Sequence, residues 1–328
     1  MVRRVVLAGT DIETSAIGFG CASLGSRISR AQGLRALAEA HEGGVTWFDV
    51  APPYGAGEAE AILGTFVKGR RDAVQLCTKV GLTDPGRNGL MKLVYTLARP
   101  VVGRMRGLRQ RFRAMPSTRY RQVTLDGPTM TASLERSLKR LGTDHVDVFA
   151  LHDPGLDDVI REETLRALED ILRTGKARHV SVAGTLPACI AGVSQPRPFT
   201  VAQFADPPGA EALAQVQAAA GRPIATITHS VFGVDGAHRR LAQRLAGDPL
   251  AARLAANAGY GGAPETAAAE ILLDRALAAN ESGVVLASMF GAEHRKLNLA
   301  RAQRAVSPEA VTIARSLLGP REAETLPA

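Results

Sequence analysis

The chain has 328 residues, 45% hydrophobic and 22% charged, which excludes a disordered polypeptide and leaves ample length to bury a core. A net charge of +8 suggests a nucleic-acid or membrane partner until it is mapped: residues 84–122 hold ten Lys and Arg against the single acid Asp84, leaving the rest of the chain at −1. No apolar run is long enough to span a bilayer, the opening run Val5–Gly9 is too short for a signal peptide, and Cys21, Cys77 and Cys189 are scattered without metal-ligand spacing, so the expectation is a cytoplasmic chain with core-packed thiols and no metal.

In chain order, "VVL" and "IET" read as an opening hairpin, then "AIGFG" as a strand followed by a helix over 31–42. The pairs that follow are "VTWFD" with 57–67, "VQLCT" with 128–141, "VDVFAL" with 161–173, and "RHVSVAG" with a short helix near Ala188. The last are "FTVAQF" with 210–219, "PIATITH" with 264–279, and "GVVLAS" with 293–305. About eight strand-then-helix units argue for parallel, right-handed connections, and at this length for an α/β chain closed as a (β/α)8 TIM barrel rather than an open sheet. "GFGCASLG" after the first barrel strand lacks the GxGxxG spacing, so no Rossmann fingerprint is present. The whole of 1–328 is expected to form a single barrel domain, interrupted by a basic insertion over about 84–122, after the third barrel strand, and a long loop over about 229–263.

Strands of a parallel barrel deliver their last residues to one rim. Asp49 ends "VTWFD", Lys79 ends "VQLCTK" and His152 ends "VDVFALH", while Tyr54 hangs from the Pro-Pro-Tyr-Gly turn after Asp49. Lys79 beside the phenol is expected to lower its pKa from about 10, with Asp49 behind the lysine to keep it charged and His152 to bond a substrate oxygen. No nucleophile with its base is visible, and such a set suits a carbonyl that becomes an alkoxide by hydride transfer from a bound cofactor.

The blocks "FDVAPPYGAGEAEAILG", "TKVGL", "SLERSLKRLGTDHVDVFALHDP" and "TLRALEDILRTGKARHVSVAG" resemble, in that order, the aldo-keto reductases, over about Ile17 to Leu299. The resemblance implies a (β/α)8 barrel, a nicotinamide cofactor held without a Rossmann fold, and interconversion of a small-molecule carbonyl and its alcohol. Carried over residue by residue, it makes Tyr54 the general acid/base, Lys79 and Asp49 its tuners, and His152 the carbonyl-orienting group. For the cofactor it implies Gln203 under the nicotinamide, and His229 where a stacking tyrosine is usual, followed by Ser230, Phe232 and Gly233. The segment "SMFGAEHRKLN" covers the adenosine 2'-phosphate site, with Ser288, His294, Arg295 and Asn298.

Departures from the family pattern begin here. The strand that usually ends in Ser-Asn ends in Ala183-Gly184-Thr185, removing one amide contact. His294 stands where NADP-using members carry an arginine, a weaker partner for a dianionic phosphate. The resemblance places NADP ahead of NAD, while "VAGTLP" is similar to the sugar-oxidising branch and keeps an NAD-dependent aldose 1-dehydrogenase as an alternative. A nucleotide-binding regulatory barrel with little turnover is a further alternative, against which the full Tyr54, Lys79, Asp49 and His152 set argues.

Within the insertion, Leu90, Val94, Leu97, Val101, Met105, Leu108 and Phe112 recur at spacings of three or four, a helical stripe interrupted by Pro100, Gly103 and Gly107. It reads as a lid over the rim that helps close the site or selects an anionic substrate, a helix packed on the barrel, or a membrane-surface or partner contact; too few aromatics accompany the charge for a nucleic-acid partner. Oligomeric state is not legible.

Overall fold

The structure is a computed structural model and describes residues 1–83, 120–233, 236–305 and 307–318. Its first two strands, β1 (Arg4–Val6) and β2 (Glu13–Ser15), form the expected antiparallel hairpin. Eight parallel strands then close a barrel: β3 (Ile17–Gly20), β4 (Trp47–Asp49), β5 (Gln75–Val80), β8 (Val146–His152), β9 (Ala177–Gly184), β10 (Val201–Ala205), β11 (Ala225–His229) and β12 (Val284–Ala287), with β12 pairing back on β3. Two further short strands, β6 (Leu82–Thr83) and β7 (Arg121–Gln122), pair antiparallel at the base of the insertion. The insertion's expected basic helices, over 84–119, lie outside the described residues.

Parallel strands are covered on both faces, so they are near-continuously apolar. In β8, "VDVFALH" is buried from Val146 to Leu151. The barrel interior and its jacket bury Phe19, Trp47, Phe48, Phe149, Phe199 and Phe204 completely. Local signals set the flanking helices. Ser29 caps α1 (Arg30–Glu42) in a reciprocal capping box with Gln32. Asp126 caps the helix Gly127–Leu141, with Pro128 in its first turn and Gly142 ending it in the left-handed region.

Two placements differ from the sequence expectation. The long 229–263 connection is largely helical, with Ala237–Gly247 and Pro249–Asn257 joined through the Asp248 cap. A last helix, Glu309–Leu318, buries Ala310, Ala314 and Leu317, a stripe the unit-by-unit reading did not reach.

The barrel's lower end is stitched shut. Asp11, in the hairpin turn, pairs with Arg178 at 2.7 Å and His179 at 2.8 Å, and Arg178 continues to buried Asp147 at 2.6 Å. Around the barrel, α2 (Glu58–Val67) packs so tightly on helix 127–141 that a Cβ on Gly64 would lie 2.5 Å from the Arg140 carbonyl oxygen. Glu60, fully buried in α2, accepts from Thr78 Oγ1 at 2.8 Å and Arg140 at 2.9 Å. Those bonds tie the start of α2 to β5 and to helix 127–141.

Candidate active site

Asp49 is the last residue of β4, Lys79 the penultimate residue of β5, and His152 and His229 the last residues of β8 and β11. Gln203 lies in β10 and Ser288 directly follows β12. All six line one cavity of about 470 Å³ at the C-terminal rim, together with Tyr54, Cys21, Ala22, Asp153, Ala183, Gly184 and Thr185. The rim rule therefore brings together the four residues it was used to select.

Lys79 Nζ donates to Asp49 Oδ1 at 2.5 Å, with side chains only 2% and 5% exposed. Burial pulls the ammonium down, but Asp49, with Cys77 and Tyr54, outweighs it and holds Lys79 above its ordinary range. Asp49 Oδ2 is buried with no partner among the described residues.

Tyr54 starts a short 3-10 turn, Tyr54–Gly57, in which Gly55 (φ 57°) and Ala56 (φ 56°) adopt left-handed backbone. A Cβ on Gly55 would lie 2.6 Å from the Leu24 carbonyl oxygen, so the turn needs glycine there. The phenol ring meets the His152 ring edge to face, centroids 5.9 Å apart at 89°. Burial pushes the Tyr54 hydroxyl above its ordinary value of 10; Lys79 pulls it back, while Asp49 and Tyr120 add to the rise. This corrects the expectation of a lowered phenol pKa: the ammonium's pull is present, but desolvation is larger and Asp49 offsets part of the cation. His152 is driven the other way, down to about 3, by burial and then by Lys79 and His229, so its imidazole is neutral; its Nδ1 is buried without a partner among the described residues. Burial likewise lowers His229, whose Nδ1 sits 3.0 Å from Ser230 Oγ.

Three non-glycine residues, Ala56, Asp153 and Ser230, hold positive φ among the described residues. Each lies in a loop leaving the C-terminal end of a barrel strand at this rim, where sparsely populated backbone is commonly held for function.

The expected cofactor residues divide. Gln203 is 5% exposed and its Oε1 has no partner among the described residues. Asn298 is buried and donates to the Ser288 carbonyl at 3.4 Å. His294 is exposed in the first turn of the helix Ala292–Ala302, whose leading residue Gly291 supplies no side-chain cap. Arg295, expected on a phosphate, instead turns inward: it is 7% exposed, donates to the Met289 carbonyl at 2.9 Å and pairs with Glu39. Phe232 and Gly233 do not line the cavity; Phe232 packs edge-on against His238, and the Gly233 N–H donates to the Ser230 carbonyl at 2.8 Å.

Sequence reasoning passed over Asp153, Thr185 and Cys21 as lining residues and Tyr120 as a neighbour of Tyr54. Asp153 was accessible by the same criterion as His152, since it follows that residue at the strand end. Cys21, Cys77 and Cys189 are free and buried. Among the described residues, no group of three or more His, Cys, Asp or Glu could hold a metal ion, and no helix is long and apolar enough to cross a membrane.

The sequence profile of the aldo/keto reductase family matches residues 16–202, more than half of the chain. An uncharacterized oxidoreductase of Bacillus subtilis, YqkF, is 29% identical over 190 residues, covering 58% of this chain and 51% of that protein. A 6-dehydroglucose reductase of Agrobacterium fabrum is 32% identical over 150 residues, 44% of this chain and 40% of the relative. The chain thus spans about half the length, or less, of these curated relatives. The crystal structure of an aldo/keto reductase from Klebsiella pneumoniae in complex with NADP and acetate superimposes with a TM-score of 0.66 at 21% identity, covering 98% of this chain and 97% of that one, a likeness of fold.

Proposed function

We propose that this chain, which belongs to the aldo-keto reductase family, interconverts a carbonyl and its alcohol with NAD(P)H as hydride donor. The observation that carries the reading is the single cavity shared by Tyr54, His152 and the Lys79–Asp49 pair at 2.5 Å. The nicotinamide, when bound, supplies or accepts the hydride; the protein's residues manage the substrate oxygen. Neutral His152 donates a hydrogen bond to that oxygen and fixes its position. Tyr54, held protonated by its raised pKa, gives its proton to the oxygen as negative charge develops. Lys79 steadies the tyrosinate left behind, and in the oxidative direction makes that tyrosinate attainable. Asp49 holds Lys79 in place.

Several residues fit the cofactor. Gln203 Oε1 is a buried acceptor without a donor, which a carboxamide N–H supplies. The first N–H groups of helix 292–302 carry no side-chain cap and suit an anion. With Arg295 engaged by Glu39, a 2'-phosphate would be held by that helix start and by His294, a weaker set than a guanidinium, which keeps the preference for NADP over NAD small. The NADP complex of the Klebsiella relative supports this order, and the name of the Agrobacterium relative supports a sugar-type substrate. Three free, buried thiols agree with a reducing cytoplasm.

The test is fluorescence titration with NADPH and NADH, followed by nicotinamide oxidation across an aldehyde panel. Binding with turnover of at least one aldehyde is expected. If neither cofactor bound, the reading would fall; binding without turnover would replace it with a regulatory barrel.

A further inference from the structure

Asp153 is the cavity's one carboxylate, among the described lining residues, that no cation holds. Its backbone stands at φ 48° in the left-handed region, which Asp tolerates better than most residues. The main chain is tied down, the N–H donating to the Ala183 carbonyl at 2.7 Å and the carbonyl accepting from Gln122 Nε2 at 3.4 Å. Neither carboxylate oxygen takes a hydrogen bond or ion pair from another described residue. Gly184, on the neighbouring strand end, makes room for it: a Cβ there would lie 3.2 Å from Asp153 Cα and 3.4 Å from its Oδ1. A bent backbone, a glycine beside it and two free acceptor oxygens thus belong to an exposed residue in the lining of the cavity that holds Tyr54 and His152.

The rest of the lining defines what those oxygens take. Asp49 Oδ2 is a further buried acceptor without a donor, Gln203 Oε1 is left to the cofactor, and Lys79, the only lysine or arginine among the described lining residues, is engaged by Asp49. Burial pushes both histidines of the lining toward their neutral forms. Beside the hydroxyl and imidazole donors of the wall, Asp153 thus adds a carboxylate that no described residue hydrogen-bonds, its pKa raised by burial and drawn back only by the field of Lys79. An anionic substrate is repelled, an apolar one leaves Asp153 desolvated without a donor, and an ammonium shares a cavity with Lys79. Hydroxyl groups bring donors without charge, and the two oxygens of one carboxylate match two adjacent hydroxyls.

We propose that Asp153 is a specificity-determining residue that accepts hydrogen bonds from vicinal hydroxyls of a polyhydroxylated carbonyl substrate. The inference rests on the carbonyl chemistry proposed above. Its test compares glyceraldehyde with propanal, equal in carbon count, as kcat/KM in wild type, Asp153→Asn and Asp153→Leu. The expected result is a wild-type preference for glyceraldehyde that falls at least tenfold in Asp153→Leu, chiefly through KM, and partly recovers in Asp153→Asn. Equal losses on both aldehydes, or wild-type preference for aminoacetaldehyde over glyceraldehyde, would overturn it. Calorimetric binding of threitol separates this inference from the one beneath it. Threitol affinity lost in Asp153→Leu supports the hydroxyl site even if no aldehyde turns over; threitol affinity equal in the two proteins overturns it whatever the turnover.

Discussion

Removing one member of the Lys79–Asp49 pair has a consequence whose size follows from its burial. At 2.5 Å and an effective dielectric constant near 20, the Coulomb attraction is about 7 kcal/mol, against a desolvation cost of several kcal/mol for each ion. The intact pair is therefore worth little net, whereas Lys79→Met strands a buried carboxylate whose other oxygen already lacks a partner. The expected loss is about 3–5 kcal/mol, a fall in Tm on the order of 10 °C. The double variant Lys79→Met/Asp49→Leu replaces both charges by apolar groups and regains most of that loss. Turnover does not return with it: both variants fall by about 10² to 10⁴, because nothing remains to stabilise tyrosinate. Urea unfolding of wild type, the two single variants and the double variant gives the coupling energy directly. Additive losses, with the double variant as unstable as the sum of the singles, would refute the compensating-pair reasoning.

The other expected outcomes follow from single features. Gly55→Ala forces a left-handed alanine against the Leu24 carbonyl, and should lower stability by about 1–3 kcal/mol and turnover more than tenfold by shifting Tyr54, both readable from unfolding and steady-state kinetics. His152 is held down to about 3, so the unfolded chain takes up its proton near pH 6.5 while the folded chain does not; its contribution is thus lost as the pH falls from 6.5 toward 3, and NMR should find no His152 titration between pH 5 and 8. Lys79 has the opposite sign: its contribution is fully present below about 10.5 and is lost as the pH rises through its higher folded value, so above pH 10.5 wild type should lose stability more steeply than the double variant, which has no such group to titrate. At the helix start after Gly291, His294→Arg should tighten NADPH about tenfold over NADH, while Arg295→Ala should lower Tm and shift that ratio less than threefold, as equilibrium titration would record.

Much of the barrel could be read from the chain because strand and helix periodicities alternate, and because strand ends converge in any parallel barrel. Asp49, Lys79 and His152 were legible for that reason, being polar residues that terminate apolar runs. Tyr54 was legible through its turn and the family resemblance rather than through periodicity. What escaped depends on distance or depth that spacing does not encode. Arg295 turns inward because Glu39, 256 positions away, waits for it. The sign of the Tyr54 shift depends on desolvation, which the order of residues does not state. Asp153 sat in plain view after His152, but its place in the cavity lining rests on a left-handed backbone and the missing side chain at Gly184. The helices within 237–257 were hidden by reading a long connection as loop.

The central claim is that the Tyr54 hydroxyl carries the proton at the substrate oxygen. Single-turnover kinetics of Tyr54→Phe, with cofactor affinity measured on the same preparation, tests it most directly. The account predicts cofactor Kd within about twofold of wild type and a chemical step slowed at least 10²-fold. A Tyr54→Phe protein that turns over at the wild-type rate would contradict it.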